Sequence, residues 1–257
     1  MLHATIEYIK FLFSSINHHG IHSPFLYELV TKCFYDRNYY NGYKIISEYQ
    51  SHLIKNRSFI SVKDLGAGSK LLKTNSRRIS EISKKAGITN KRAQLLYRLV
   101  NYFQPNSILE FGTSLGIATC ALSLGNPKAL ITTIEGCPET AAQASNQFNS
   151  FNLNNINLIV STFDNELDNL KQQKFDLVYF DGNHTKEATI NYFKTLLQSI
   201  NNDSIIIFDD IHWSKGMTEA WDTIKQEPKV TLTIDTFFWG IVFFRTEQVK
   251  QHFKIRV

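Results

Sequence analysis

Three carboxylates and two imidazoles follow two neighbouring apolar runs of this chain, at the point where each run stops. Asp181 and His184 come after the first run, and Asp209, Asp210 and His212 come after the second. Because the carboxyl ends of parallel strands meet at one edge of a sheet, we expect these side chains to lie close together. Clustered carboxylates repel one another unless protons or a cation intervene, and a hard divalent cation such as Mg²⁺ prefers oxygen ligands. The pattern therefore favours a polar site at this edge, with a bound metal ion as one interpretation.

A glycine turn between an apolar strand and a helix-like stretch lies earlier in the chain, at residues 107–116. The strand ends in Glu110, the turn contains Gly112 and Gly116, and an apolar stretch begins at Ile117. This order of strand, tight turn and helix N-terminus is the arrangement that cradles a nucleoside cofactor. The spacing Glu-x-Gly-x-x-x-Gly differs from the Gly-x-Gly-x-x-Gly spacing of pyrophosphate sites, so it favours a cofactor without phosphate. A plain connection between strand and helix is the alternative.

An acidic residue also stands at the end of the next apolar run. Glu135 follows Gly112 by 23 residues and comes directly after residues 130–134. A carboxylate at the tip of the second strand is placed to accept hydrogen bonds from the two ribose hydroxyls of a nucleoside. A solvated residue that merely ends a strand is the alternative interpretation.

The run at residues 107–116 resembles motif I of the class I S-adenosylmethionine-dependent methyltransferases. The resemblance implies that the turn glycines let the backbone lie against the methionine part of the cofactor, while the acidic residue organises the loop and the cofactor's amino group. It also implies an adenine corner after the third strand, where Phe163 would stack on the ring and Asp164 would accept from its amino group, although both suit turn and core positions equally. The cofactor-binding residues implied in this way are Glu110, Gly112, Thr113, Ser114, Gly116, Glu135, Gly136, Phe163, Asp164 and Asp181.

The two polar corners resemble those of the metal-dependent O-methyltransferases, in their catechol-type and sugar-methylating branches. The resemblance implies Asp181, Asp209 and Asp210 as metal ligands. The sequence departs from the motif at two positions, because catechol-type enzymes have a lysine where this chain has His184, and many have an asparagine where it has Asp210. Without a metal, Asp181 or Asp209 would serve to position cofactor and acceptor.

Catalytic roles are predicted for three side chains at these corners, namely Asp181, His184 and His212. An imidazole can exchange a proton near neutral pH, so either histidine could assist deprotonation of an acceptor hydroxyl. The alternative is that each imidazole hydrogen-bonds a backbone carbonyl or caps the following helix.

Apolar runs alternate with helical patterns from residue 91 onward, which predicts an α/β fold with a doubly wound, mostly parallel seven-stranded sheet covered on both faces. A C-terminal antiparallel hairpin is predicted from two strand patterns with almost no residues between them. Residues 1–90 are predicted to form a mainly helical extension or lid, and residues 91–257 a Rossmann-like domain. The predicted strands are 107–111, 130–135, 156–160, 175–181, 204–209, 230–235 and 237–245, and the predicted helices are 4–16, 24–35, 44–55, 91–104, 115–124, 138–151, 165–172, 185–200 and 215–226.

Composition and charge limit the class of protein. Hydrophobic residues make up 43% and charged residues 20% of the chain, which is typical of a globular protein and not of a disordered one. Three well-separated cysteines, no apolar run long enough to span a bilayer and no secretory signal predict a cytoplasmic protein without membrane spans. Residues 70–92 contain eight basic residues and one acidic residue, which suits a solvated face better than an anion-binding patch. Nucleic acid is therefore not the expected partner.

Two further motifs are interpreted as local structure. Residues 62–69 contain a second glycine-rich turn, but no apolar helix and no second acid-tipped strand follow it, so we expect a turn and not the cofactor loop. The histidines of residues 18–22 precede Ser23 and Pro24, an N-cap and N1 pair, so we expect the start of a helix and not a transition-metal site.

The function predicted from these features is S-adenosylmethionine-dependent transfer of a methyl group to a hydroxyl of a small molecule, with possible help from Mg²⁺, by a protein that could form a homodimer. Base N-methylation is disfavoured because Asp181-Gly182-Asn183-His184 stands where an Asp/Asn-Pro-Pro-Tyr/Phe motif would be needed. The alternatives are a non-catalytic nucleoside-binding module that acts through a protein partner, and an NAD-dependent oxidoreductase, which would need a pyrophosphate-type turn.

Overall fold

The computed structural model describes residues 2–63 and 74–257, which form helices and strands in the alternation that the sequence predicts. The helices are α1 (Leu2–Ser14), α2 (Pro24–Leu29), α3 (Asn41–Lys55), α4 (Ile79–Lys85), α5 (Asn90–Phe103), α6 (Ile117–Gly125), α7 (Pro138–Ser150), α8 (Phe163–Leu170), α9 (Lys186–Leu196) and α10 (Lys215–Gln226). The strands are β1 (Phe59–Ser61), β2 (Ser76–Arg78), β3 (Ser107–Phe111), β4 (Leu130–Glu135), β5 (Ile156–Val160), β6 (Leu177–Phe180), β7 (Ile205–Asp209), β8 (Leu232–Asp235), β9 (Trp239–Phe243) and β10 (Gln251–Lys254).

The main sheet has eight strands in the order β10-β8-β9-β7-β6-β3-β4-β5. Strands β3, β4 and β5 pair in parallel, as do β6 and β7. Every residue of β6 and β7 is buried, as expected for strands covered on both faces. The predicted α/β fold with a mostly parallel sheet is therefore confirmed, with one strand more than the seven expected.

The C-terminal hairpin is formed by β8 and β9, which pair antiparallel with Leu232 opposite Phe243 and Asp235 opposite Gly240. Strand β9 also pairs antiparallel with β7, so the hairpin joins the sheet as predicted. The additional strand β10 pairs in parallel with β8. Its sequence Gln-His-Phe-Lys carries one strongly apolar residue, too few for a strand to be predicted from the pattern.

The chain divides into two compact units. The terminal unit comprises Met1–Tyr35 and Leu167–Val257, and the central unit comprises Asp36–Glu166. The predicted division at residue 90 does not coincide with a boundary between these units, because α3 and α4 belong to the central unit with α5 and α6. A lid role for residues 1–90 stays a prediction.

The N-terminal helices lie close to the predicted ranges. Pro24 is the first residue of α2, and the Ser23 side chain caps this helix by accepting from the backbone N–H of Leu26 at 3.4 Å. Residues Val30–Phe34 continue as a π-helix, so the predicted helix 24–35 is present with a wider last turn. The interpretation of Ser23 and Pro24 as a helix start is confirmed.

The second glycine-rich motif and part of the basic segment lie outside the described residues. Of the motif at 62–69, only residues 62 and 63 are described, and of the segment 70–92, Lys70 and Lys73 are not. The remainder of the basic segment contributes to β2, α4 and the start of α5, although no helix or strand was predicted for residues 70–90.

Within residues 2–63 and 74–257, no helix combines the length and apolar character that crossing a bilayer requires. All three cysteines are buried and free of disulfides.

Candidate functional site

The glycine turn of the central unit connects β3 to α6, as predicted. The backbone N–H groups of Gly112 and Thr113 donate to the carbonyl oxygen of Ile134 in β4, at 3.0 and 3.3 Å. Gly112 and Gly116 have φ angles of 96° and 79°, and Ser114 adopts a positive φ of 49°. Since such angles favour glycine, the two glycines allow the chain to reverse tightly above the strand ends.

Gly116 lies in a place where no side chain fits. A Cβ atom there would be 2.6 Å from the hydroxyl oxygen of Tyr49 and even closer to the ring of Phe148. The requirement for glycine is therefore both conformational and steric, and the loop backbone lies directly against these two aromatic side chains.

Glu110 lies beneath this loop and is completely buried. Its Oε2 atom accepts hydrogen bonds from the hydroxyls of Thr119 in α6, at 2.5 Å, and Thr133 in β4, at 2.6 Å. The Thr133 hydroxyl is also 2.6 Å from that of Thr113 in the loop. Glu110 thus ties strand, loop and helix together, as expected for a residue that organises the loop. Its contact with the cofactor's amino group stays a prediction.

Glu135 stands at the end of β4 beside the same loop, and its side chain is partly exposed. One carboxylate oxygen accepts from the backbone N–H of Ser114 and the other from that of Cys137, both at 2.9 Å. Glu135 therefore lies at a strand end beside the glycine turn, where an acid that binds ribose hydroxyls is expected. Its contact with ribose stays a prediction.

The predicted adenine corner contains Gly136, Phe163 and Asp164. The Phe163 ring packs edge-to-face on the buried ring of Phe111, with centroids 5.1 Å apart. Asp164 is exposed in the first turn of α8, where its negative charge interacts favourably with the helix dipole. Phe163 is partly exposed, and the predicted contacts with adenine stay predictions.

Tyr49 of α3 is a functional candidate that the sequence analysis missed. Its side chain is completely buried, and its hydroxyl donates to the carbonyl oxygen of Leu115 at 2.9 Å. The residue lies on the apolar face of α3 with Ile46 and Leu53, a spacing that predicts core packing and gives no sign of a loop contact.

The first polar corner of the terminal unit contains Asp181 and His184. The Nε2 atom of His184 lies 3.5 Å from Oδ1 of Asp181, and both side chains are about one quarter exposed, at 22% and 24%. Burial lowers the pKa of His184, but the hydrogen bond and charge of Asp181, together with the charges of Asp210 and Asp209, raise it to about 9. His184 is therefore an imidazolium at neutral pH and supplies positive charge beside Asp181.

The second corner contains Asp209 and Asp210, as predicted, at the end of β7. Asp209 is nearly buried, with Oδ1 accepting from the backbone N–H of Asp210 at 2.9 Å and Oδ2 from the Tyr179 hydroxyl at 3.4 Å. Across the parts of the chain that the structure describes, no group of three or more His, Cys, Asp or Glu side chains is arranged to hold a metal ion.

The structure does not show the predicted Mg²⁺ ligand set of Asp181, Asp209 and Asp210 as a preformed cluster among the described residues. Asp209 accepts one hydrogen bond on each carboxylate oxygen, and the imidazolium of His184 lies beside Asp181. Binding of Mg²⁺ by these three aspartates stays a prediction.

His212 lies inside the terminal unit, with only 8% of the residue exposed. Its Nε2 atom is 2.9 Å from Oδ2 of Asp235, and its Nδ1 atom is 3.3 Å from the hydroxyl of Thr218. Both ring nitrogens thus have hydrogen-bonding partners, which favours a structural role over the predicted catalytic one.

This chain is similar to known proteins in part of its sequence and in its fold. Residues 109–211 match the model of a family described as a methyltransferase domain. A SAH-bound methyltransferase from Podospora anserina superposes with a TM-score of 0.58, covering 88% of this chain and 97% of that chain at 14% identity. An O-methyltransferase from Bacillus cereus in complex with SAH has a TM-score of 0.55, and the superposition covers 80% of this chain and 92% of that chain at 17% identity. The O-methyltransferase TomG from Streptomyces achromogenes has a TM-score of 0.57, and the superposition covers 81% of this chain and 91% of that chain at 14% identity.

The family match begins in β3 and ends just after β7, so it includes the glycine turn, Glu135 and both polar corners. Residues 109–211 are thus similar to a methyltransferase domain, and the strand order and the superpositions show the fold that these structures share.

Proposed function

We propose that the protein is an S-adenosylmethionine-dependent O-methyltransferase that acts on a hydroxyl of a small molecule. The observation that carries this proposal is the position of the Glu135 carboxylate, which ends β4 and accepts hydrogen bonds from the backbone N–H groups of Ser114 in the glycine turn and of Cys137. The SAH complexes of the Podospora and Bacillus proteins, which share the fold, support the same cofactor.

The residues of the central unit suit an adenosyl ligand without phosphates. Glu135 would accept from the two ribose hydroxyls, and the backbone of the turn at Gly112 would lie against the methionine part. At Gly116 the space for a Cβ is filled by Tyr49 and Phe148, so this glycine would shape the turn. The partly exposed Phe163 side chain would contact the adenine ring. When bound, the cofactor supplies an electrophilic methyl group on a positively charged sulfur.

Asp181 is the proposed positioning group for the acceptor hydroxyl, since it directly follows β6 and has a partly exposed carboxylate. His184 holds that carboxylate through the contact between Nε2 and Oδ1. A histidine that is already protonated cannot accept a proton, so His184 would not act as the general base at neutral pH. Alignment of the hydroxyl with the methyl group would supply most of the rate enhancement.

The test is transfer of labelled methyl from S-adenosylmethionine to a panel of phenols, sugars and hydroxy acids, with and without added Mg²⁺. We expect a methylated product with at least one hydroxyl acceptor, and a rate that added Mg²⁺ or a chelator leaves nearly unchanged. A rate that depends on Mg²⁺ would restore the metal-assisted reaction first expected from the motif.

The matched variants are Glu135→Gln and Glu187→Gln. The first removes one acceptor beside the loop, so we expect SAH to bind roughly tenfold more weakly, whereas the second changes an exposed carboxylate on α9 and should have no effect. Binding of SAH without methyl transfer to any acceptor would favour the non-catalytic nucleoside-binding module. Unchanged SAH affinity in Glu135→Gln would contradict the proposed cofactor site.

Cytoplasmic localisation and a homodimer remain predictions from the sequence. Free, buried cysteines are compatible with a reducing compartment, and fractionation of cells that produce the full chain would test the localisation.

A further inference from the structure

Helix α1 turns its more polar side toward the terminal unit. His3 hydrogen-bonds the hydroxyl of Thr218 through Nε2 at 3.0 Å, Glu7 is largely covered, and Phe11 is buried against the ring of Phe237. Amphipathic helices normally bury their apolar face and expose their charged face. The covered side also includes Ala4, so two of its four residues are ionisable.

The outward side of α1 carries an apolar stripe formed by Leu2, Ile6, Ile9 and Phe13, called the α1 stripe below. Their exposed fractions are 76%, 43%, 49% and 90%. Positions separated by four, three and four residues lie above one another on a helix, so the four side chains form one continuous surface. A contiguous apolar surface of this kind marks an interaction site.

The chemistry of α1 disfavours an anionic membrane as the partner. Glu7 and Lys10 are its only acidic and basic residues apart from His3, and they pair with each other at 2.7 Å. Helices that lie on anionic membranes carry several lysines or arginines beside the apolar face. The α1 stripe itself carries no charge and is bordered by Thr5 and Leu12 on one side and by Lys10, which pairs with Glu7, on the other.

The spacing of the stripe is self-complementary. An antiparallel copy of α1, related by a two-fold axis between residues 7 and 8, would place Leu2 opposite Phe13 and Ile6 opposite Ile9 of the second copy. Both pairs then form twice, as an isologous interface requires. We propose that the α1 stripe binds the α1 stripe of a second copy of this chain and forms a two-fold homodimer, independently of the proposed activity.

The size of the stripe suits a reversible dimer. Its four side chains expose roughly 500 Å² of apolar surface per copy, so a dimer would bury about 1,000 Å² in total, at the lower limit of specific interfaces. We expect dissociation at micromolar protein concentration, so that the monomer and the dimer are both measurable.

The first test is sedimentation equilibrium of the full chain over a range of concentrations. We expect a concentration-dependent dimer for the unmodified chain, and a monomer for Ile9→Glu and, separately, for Phe13→Glu, because each places a charge in the centre or at the end of the interface. Val249→Glu is the matched control, since Val249 is 72% exposed outside α1 and the variant should dimerise normally. Circular dichroism would show that each variant remains folded.

The second test examines the register. A Leu2→Cys copy mixed with a Phe13→Cys copy should form a disulfide-linked dimer under mild oxidation. Each copy alone should link poorly, because the antiparallel register does not place the introduced cysteine opposite itself, and the native cysteines are buried. A chain that stays monomeric at all concentrations would overturn the proposal. A dimer that Val249→Glu disrupts and the α1 variants do not, or a monomer whose α1 binds lipid vesicles, would also overturn it.

Discussion

The hydroxyl of Tyr49 in α3 donates a hydrogen bond of 2.9 Å to the carbonyl oxygen of Leu115, the residue just before the second glycine of the turn. Both groups are in the central unit and are buried. A side chain from the N-terminal third of the sequence therefore helps to fix the loop that is proposed to bind the cofactor.

Replacing Tyr49 by phenylalanine should weaken cofactor binding more than it weakens the fold. The ring remains in place, but the Leu115 carbonyl loses its donor, which is worth about 0.5–1.5 kcal/mol. We expect SAH to bind roughly three to ten times more weakly by calorimetry. Tyr43→Phe is the matched control, because the Tyr43 hydroxyl lies on the same helix and contacts Arg98 at 3.0 Å.

An equal loss of affinity in both tyrosine variants would mean that α3 acts only through general stability. Thermal unfolding of each variant separates the two explanations, since the control removes a comparable hydrogen bond away from the loop.

Replacing Gly116 by alanine should strongly destabilise the central unit. The new methyl group would need a φ of 79° and would collide with Phe148 and the Tyr49 hydroxyl, which together should cost about 2–5 kcal/mol of unfolding free energy. Chemical denaturation measures this loss.

Gly216→Ala is the contrasting variant, because Gly216 lies in α10 with no atom closer than 3.5 Å to an added Cβ. This variant should be neutral or stabilising by up to about 1 kcal/mol. Similar losses in both variants would show that the turn is not as tight as its φ angle indicates.

The sequence was sufficient to predict the glycine turn and the sheet because its signals are local. Gly112 and Gly116 mark a strand-to-helix turn, and the uninterrupted apolar run of β7 marks a strand buried on both faces. The polar edge strand β10 was missed because its pairing with β8 depends on contacts far along the chain, which a period-two pattern in four residues cannot reveal.

The sequence predicted those parts of the candidate site in which the residue type and its position at a strand end are sufficient to indicate a role. Glu135 was placed correctly at the end of β4, but the donors that hold Glu110 were not identified, although Thr119 and Thr133 are polar residues in otherwise apolar elements. The charge state of His184 could not be predicted from sequence, because it results from three aspartates that the fold brings near one imidazole.

Stability should fall with rising pH through the contribution of His184. Its pKa is about 9 in the folded protein and near 6.5 in the unfolded chain, so the folded state binds the proton more tightly. The stabilisation is complete below pH 6.5 and is lost as the pH rises through 9, at most about 3 kcal/mol in total. Denaturation curves at several pH values should therefore show a steeper decline for the unmodified chain than for His184→Gln. Parallel declines in the two proteins would show that His184 does not carry the charge at this corner, and titration of the imidazole by NMR would report its pKa directly.

Replacing His212 by glutamine should reduce stability without removing activity. The variant weakens the contacts to Asp235 and Thr218 in surroundings where both His212 and Asp235 are over 90% covered, so we expect a loss of about 1–3 kcal/mol of unfolding free energy. The rate of methyl transfer should change less than about threefold, because no lone pair or proton of this ring is free for an acceptor. His19→Gln, at an exposed histidine, should change neither the unfolding free energy nor the rate.

A histidine that acts as a general base would give the opposite result, since its removal lowers the rate by about 10²–10⁴-fold and leaves the fold intact. Measuring both the unfolding free energy and the pH dependence of the rate therefore decides between a histidine that supports the site and one that takes part in the reaction.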